Sequence, residues 1–373
     1  MQEVAVIGIG QTKIDEHWDK SLRELAGDAA LAAMAEAQID RVDTIYVGNM
    51  LSGVANAQAQ LGSMLSDWIG QRYSEAIKIE SACSSGGAAF RAGYLSVASG
   101  EADVSLVVGV EKMTDSPSSE ITAGLATAAD ADWEVDQGVS FVALNALIMK
   151  RYMHEYHWRD IDFAEFSINA HANAVHNPYA RFQQPLTESQ FINSPMICDP
   201  INLMDASPIG DGAAAALLVR ADWVTSDVSK IIVAGSAAAT DTIAIHNRKE
   251  PLWLAAGEKS TRDVYEQAGI SPAEIGVFEY HDAFTIMAAL SLEAAGFAER
   301  GKGPALAKEG MIKINGRIPV ATRGGLKARG HPVGATGMYQ IVEVVQQLRG
   351  QAGETQVPRQ DFGMALNIGG SGS

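Results

Sequence analysis

The chain has 373 residues, enough for two or three domains at roughly 100–200 residues each, and its 47% hydrophobic and 20% charged content excludes a disordered or fibrous protein. A formal net charge of -17 opposes nonspecific binding to nucleic acid or an anionic membrane, although a local basic cluster can still hold a small anion. Two cysteines, Cys83 and Cys198, cannot build a disulfide framework or a Cys-based zinc site and fit a reducing cytoplasm; neither a basic leader nor an apolar run of membrane-spanning length is read.

Val4 to Gly10 (VAVIGIG) reads as a short buried strand closed by glycine. Ser21 to Ala37 reads as a helix, opened by a Ser21/Glu24 capping box and striped by Leu22, Leu25, Ala29, Ala32 and Ala33. Strands follow at Thr44 to Val47 and Ala76 to Glu80, then a helix at Gly86 to Ala98 and a strand at Val104 to Val110. This alternation predicts an α/β class with a parallel sheet. From about 113 to 208 the pattern changes to aromatic-rich helical stretches, Phe141 to Tyr156 and Phe163 to Val175 among them, which reads as an insertion. A strand resumes at Ala213 to Val219. The second half repeats the order of the first: a strand at Lys230 to Ala239, a strand at Gly276 to Tyr280, a helix at Ala283 to Ala295, a Gly-rich turn at Arg329 to Gly337 opening a helix from Met338 to Leu348, and a last strand at Phe362 to Leu366.

Four segments have the composition of a reactive site. In Glu80 to Phe90 (ESACSSGGAAF), Cys83 stands at the corner between a strand and a helix. Helix-terminal amides there favour a thiolate and lower its pKa, and small neighbours clear room for a substrate. A buried structural cysteine is the competing reading. In Gly324 to Gly337 (GGLKARGHPVGATG), His331 lies on a Gly-dense loop before a helix, suited to a general base. In His281 to Phe284 (HDAF), His281 follows a strand, at the edge where open α/β sheets place their sites; a ring merely bonded to Asp282 is the alternative. The Gly-rich Asn367 to Gly372 (NIGGSG) could offer amides to an oxyanion.

At these motifs, together with Asn202 to Ala215 (NLMDASPIGDGAAA), the chain resembles the thiolase superfamily over nearly its whole length. The resemblance is to the branch holding sterol-carrier-protein-x thiolases and archaeal acetoacetyl-CoA thiolases. It implies an α/β thiolase fold: duplicated halves in a layered α-β-α-β-α core, with a helical loop domain inserted into the first. The expected parts are 1–115 plus 209–224 for the N-terminal half, 116–208 for the inserted loop domain and 225–373 for the C-terminal half. The implied activity is acetyl-CoA C-acetyltransfer, a Claisen condensation of two acetyl-CoA or the reverse thiolysis through a Cys83 acyl-enzyme. The rivals are a 3-ketoacyl-CoA thiolase of longer substrates, a retro-aldolase with a DUF35 partner, a decarboxylating condensing enzyme, and an inactive scaffold or lipid-carrier subunit.

Residue by residue, the resemblance implies that Cys83 takes the acyl group, that His331 accepts its proton and later helps hold a thioester oxyanion, and that His281 binds a water or contacts that same oxyanion. The amides of Cys83 and Gly369 would hold the acyl-enzyme oxygen. Two positions depart from the pattern: Asn367 stands where many thiolases carry a second cysteine, and Ala283 where the sterol-carrier branch carries one. Either histidine is then left to take the α-proton. The chain stops where family members continue into a final strand, which would leave a sheet edge unpaired. Arg181, Arg248, Lys249 and Lys327 are candidate contacts for the phosphates of coenzyme A, a substrate carrier. No metal or redox cofactor is expected; His171 and His176, five apart, are poorly spaced for a shared ion on one helix face. A homodimer or homotetramer, a hydroxymethylglutaryl-CoA synthase and a DUF35 OB-fold protein are the implied partners.

Overall fold

The computed structural model describes residues 2–224 and 230–373; the expected start of the C-terminal half, at 225, lies outside them. In chain order, β1 (Val4–Gln11) leads to α1 (Leu22–Ala37), capped reciprocally by Ser21 and Glu24, then to β2 (Thr44–Gly48) and the short α2 (Ser52–Ala55) and α3 (Leu61–Trp68). Next come β3 (Glu75–Ile79), α4 (Ser85–Ser99) and β4 (Val104–Glu111). The stretch from β4 to the next long strand is mostly helical: α5 (Ser118–Ala126), α6 (Phe141–Tyr156), α7 (Ala164–Ala174) and α8 (Glu188–Ile192), then the hairpin of β5 (Met196–Cys198) and β6 (Ile201–Asn202). The long strand β7 (Gly212–Arg220) closes it. The remainder holds β8 (Ile231–Ile232), α9 (Ala255–Ala268), β9 (Val277–Glu279), α10 (Thr285–Ala294), α11 (Gly303–Lys308), α12 (Thr336–Leu348) and β10 (Gly363–Ala365).

The first sheet has the order β3-β2-β4-β7-β1-β8. It is mixed, which corrects the expectation of a parallel sheet: β3, β2 and β4 run parallel, whereas β7 is antiparallel to both β4 and β1. The reason is connectivity. The insertion returns the chain to the sheet at the same end where β4 leaves it, Gly212 pairing with Glu111, and a strand buried on both faces shows the same apolar run whichever way it points. Both faces are covered. Ala213, Ala215, Leu217 and Val219 of β7 face α1 and α3, while Ala214, Ala216 and Leu218 face α4 and α12.

α12 also packs on β9 and β10, whose far side carries α10 within a second core of Phe278, Leu290 and Leu366. The layers therefore run helix, sheet, helix, sheet, helix. The second sheet is slight. Among the described residues β10 pairs with β9 alone, and Phe278 bridges to Val320. The strand expected over Lys230 to Ala239 is realised only at Ile231–Ile232, which pairs with β1; the rest has no ladder partner among the described residues, and a cleft separates it from β10. Among the described residues no helix is long and apolar enough to cross a membrane.

Candidate active site

The site is assembled at the carboxyl ends of β2, β3, β4, β9 and β10, the edge on which open α/β sheets gather ligands. β3 delivers the turn Ser81 to Ser84. Ala82 sits there at φ +48°, a left-handed conformation that costs a non-glycine residue about 1–2 kcal/mol. Ser85 holds the turn by accepting from Ser81 N at 2.9 Å and donating to Ala82 O at 2.6 Å. Cys83 is thereby pinned just ahead of α4, in a pocket of Leu51, Met113, Ile121 and Val333.

His281 follows β9 at the mouth of the loop into α10. His331 is fixed by its amide, which donates to Pro208 O at 2.9 Å. The two rings meet edge to face with centroids 5.2 Å apart. The Cys83 sulfur and one nitrogen of each ring all lie within 4.8 Å of one another. A thiol and two imidazoles so placed could also ligate a soft divalent ion. Among the described residues they are equally a nucleophile, a base and a hydrogen-bond donor within reach of one reacting carbon. Cys198, on β5 in the insertion, is not part of this group.

The electrostatics differ from the expectation of an activated thiolate. Burial, with the nearby Glu111 carboxylate, pushes the Cys83 thiol up to about 12, outweighing the amides of Cys83 and Gly370 that face it. Burial also holds His281 down to about 3, helped by Arg329, and takes His331 well below the usual imidazole range. The resting site is therefore a neutral thiol beside two neutral imidazoles. Deprotonation must accompany attack on a substrate rather than precede it. The second amide at the resting sulfur is that of Gly370, next to Gly369. Gly369 itself packs against Ser81 and Ser84, where a Cβ would come within 2.8 Å of Ser81 O and Ser84 Oγ.

A set of buried polar residues that the sequence reading did not single out holds these loops. Glu111, at the end of β4, accepts from Asn49 Nδ2 (2.8 Å) and from the amides of Leu51, Met50 and Gly334 (3.0 Å each). One carboxylate thus ties β2 and β4 to the His331 loop, and burial pushes its pKa up to about 7. The only trace of it in the sequence is a charge ending an apolar run, VSLVVGVE. Asp282 accepts from Leu326 N at 2.8 Å and faces Lys327, which joins the His281 and His331 loops. Asn367, noted only as the site of an absent cysteine, accepts from Gly87 N at 3.1 Å and lies 3.2 Å from His281 Nδ1.

The four basic candidates are not gathered. Lys327 is buried and donates to Asp205 O, and desolvation brings it down to about 8. Arg181 donates to Ile209 O at 2.8 Å and pairs with Glu16 at 2.6 Å. Arg248 is buried and donates to Ser371 Oγ at 3.1 Å, against the Gly-rich turn; Lys249 beside it is exposed.

A cysteine at a strained turn, served by two imidazoles from the other half of the chain, defines a class: enzymes that carry a group on sulfur. Comparison with known proteins narrows it. Residues 4–222 match the family model "Thiolase, N-terminal domain" and residues 237–373 match "Thiolase C-terminal domain-like". The chain belongs to the thiolase family. It is 43% identical over its full length to an acetyl-CoA acetyltransferase of Methanothermobacter thermautotrophicus, covering 97% of that protein. It is 37% identical, again over its full length and 97% of the relative, to one of Methanocaldococcus jannaschii. Among solved structures, an Ltp2-ChsH2(DUF35) aldolase superposes with a TM-score of 0.85 at 23% identity, over 99% of this chain and 95% of that one. At that identity the likeness speaks for the fold alone.

Proposed function

We propose that the protein is an acetyl-CoA C-acetyltransferase, condensing two acetyl-CoA to acetoacetyl-CoA and free coenzyme A, or running the reverse thiolysis. The observation that carries this reading is the convergence of Cys83, His281 and His331 within 4.8 Å. As Cys83 Sγ attacks the thioester carbonyl, its proton passes to His331. Collapse expels coenzyme A as a thiolate, which takes that proton and leaves acetyl-Cys83. A second acetyl-CoA loses an α-proton to a base, and the enolate carbon attacks the acetyl-Cys83 carbonyl. Expulsion of the Cys83 thiolate, reprotonated by the same base, yields acetoacetyl-CoA. The amides of Cys83 and of the Gly369–Gly370 turn, where the Gly370 amide faces the sulfur, are the proposed holders of the tetrahedral oxygen. Every step moves electron pairs and one shuttled proton, so the scheme calls for no metal or redox cofactor.

Lys249, with Arg248 behind it, is the proposed contact for the phosphates of coenzyme A. Full-length similarity to two acetyltransferases supports the substrate. The built nucleophile argues for acyl transfer over a retro-aldol reaction, which needs no thiol. A cytoplasmic homodimer joined through the first half, where the β3 edge is open and Tyr73 and Ile77 are exposed, and a DUF35-type partner complete the proposal. The test is intact mass after incubation with acetyl-CoA. A gain of one acetyl group is expected, and Cys83→Ala must abolish it; an unmodified wild-type chain overturns the assignment.

A further inference from the structure

We propose that Asn367 is a positioning residue that fixes His281 with its proton on Nε2, so that the two imidazoles face the substrate in opposite states, His281 as hydrogen-bond donor and His331 as base. The proposal rests on the acyl-transfer reading and decides what that reading leaves open, namely which ring takes the α-proton.

The inference follows from donor and acceptor counting. Gly87 is the third residue of α4, so its amide has no acceptor within the helix. It donates to Asn367 Oδ1 at 3.1 Å. An amide N–H can only donate, so the oxygen of the Asn367 side chain must face it, and Nδ2 must face His281 Nδ1 at 3.2 Å. Nδ2 can only donate as well. His281 Nδ1 therefore presents its lone pair, and the single proton of the neutral ring sits on Nε2. Burial keeps that ring neutral, at a pKa of about 3.

His331 has the reverse arrangement. Its Nδ1 lies 2.7 Å from Thr336 Oγ1, which also has the Pro332 carbonyl oxygen, one turn earlier, as an acceptor at 3.3 Å. We assign the hydroxyl hydrogen to that carbonyl, so that Oγ1 accepts from Nδ1–H. The lone pair of His331 then resides on Nε2.

The Asn367 seat is shaped to the side chain. A Cβ on Gly337 would fall 2.2 Å from Asn367 Oδ1, and one on Gly87 would fall 3.0 Å from it. Both glycines let the amide reach the helix terminus, so the last glycine of GHPVGATG serves Asn367 rather than a turn. During condensation the α-carbon to hydrogen bond breaks toward His331 Nε2. The enolate oxygen receives the Nε2–H of His281. The enolate electron pair forms the new carbon–carbon bond, and the displaced Cys83 sulfur recovers the proton from His331.

The test reads proton position and rate separately. In protein labelled with 15N-histidine, long-range proton–nitrogen spectra of the wild type should assign His281 a protonated Nε2 and an unprotonated Nδ1; a protonated Nδ1 overturns the proposal. Asn367→Asp keeps an acceptor for Gly87 N–H but offers His281 an acceptor instead of a donor, so Nδ1 should gain a proton. Condensation should then fall at least 30-fold, with KM for acetyl-CoA within threefold. Acetyl loading of Cys83 should fall far less. Asn367→Ala, which removes the donor without supplying an acceptor, should lie between. Unchanged condensation in Asn367→Asp refutes the positioning role. A wild type with the predicted tautomer that never acetylates Cys83 refutes the thiolase reading and leaves the tautomer assignment standing.

Discussion

Glu111→Gln tests whether a single buried carboxylate clamps the two halves of the site. Oε1 accepts from Asn49 Nδ2 and Leu51 N, and Oε2 from Met50 N and Gly334 N, at 2.8–3.0 Å. An amide has one oxygen. Whichever way it turns, two buried donors lose their acceptor and meet a third donor. At about 1–3 kcal/mol for each orphaned buried donor, the cost is roughly 2–6 kcal/mol. At about 2 °C per kcal/mol for a long chain, the melting temperature should fall by roughly 4–12 °C. The Gly334 tether carries the His331 loop, so acetyl loading of Cys83 by intact mass should slow at least tenfold. A variant that melts within 1 °C of the wild type and loads at the wild-type rate would refute the clamp.

Gly337→Ala places a Cβ 2.2 Å from Asn367 Oδ1 and 2.4 Å from Gly87 N, so acetoacetyl-CoA formation should drop at least tenfold; Gly53→Ala, whose Cβ meets nothing within 4 Å, should be silent in the same assay. Arg329→Met leaves Glu343 buried without its partner and should cost about 3–5 kcal/mol in denaturant unfolding, while the double variant with Glu343→Leu should recover most of it. Equal losses in the two would exclude the ion pair as the cause. Because His281 and His331 are held neutral when folded, the unfolded chain binds protons below about pH 6.5 that the folded chain refuses. Stability should therefore fall as pH drops from about 6.5 toward about 3, and His281→Asn should flatten the decline in melting temperature between pH 7 and 5; parallel declines would contradict the assignment.

Much of the scaffold was written locally. The runs VAVIGIG and AAAALLV became strands, the Ser21/Glu24 box capped α1, and Phe141 to Tyr156 is a helix over those same residues. These signals depend on neighbours a few residues apart, which the linear pattern carries. Cys83, His281 and His331 were legible as candidates too, Cys83 and His331 from glycine-dense turns before a helix and His281 from its place just past a strand. Strand direction was not, since burial on both faces erases the alternation that would betray it. Nor was the fate of Lys230 to Ala239, whose apolar pattern promises a strand but which, among the described residues, finds a ladder partner only at Ile231 and Ile232.

The sequence by itself determined most of the strands and helices and singled out Cys83, His281 and His331 as candidates, because apolar periodicity, turns and strand ends are properties of contiguous residues. The tertiary structure alone decided the state of that chemistry. Desolvation by the whole fold turns an expected thiolate into a thiol near pKa 12, against helix-terminal amides that act only over a few ångströms. It also brings Glu111 against Gly334, and Asn367 between Gly87 and His281, across 223, 280 and 86 residues of chain. Hydrogen bonds at such separations leave no periodic trace in the sequence, since each exists only once packing has put donor and acceptor face to face.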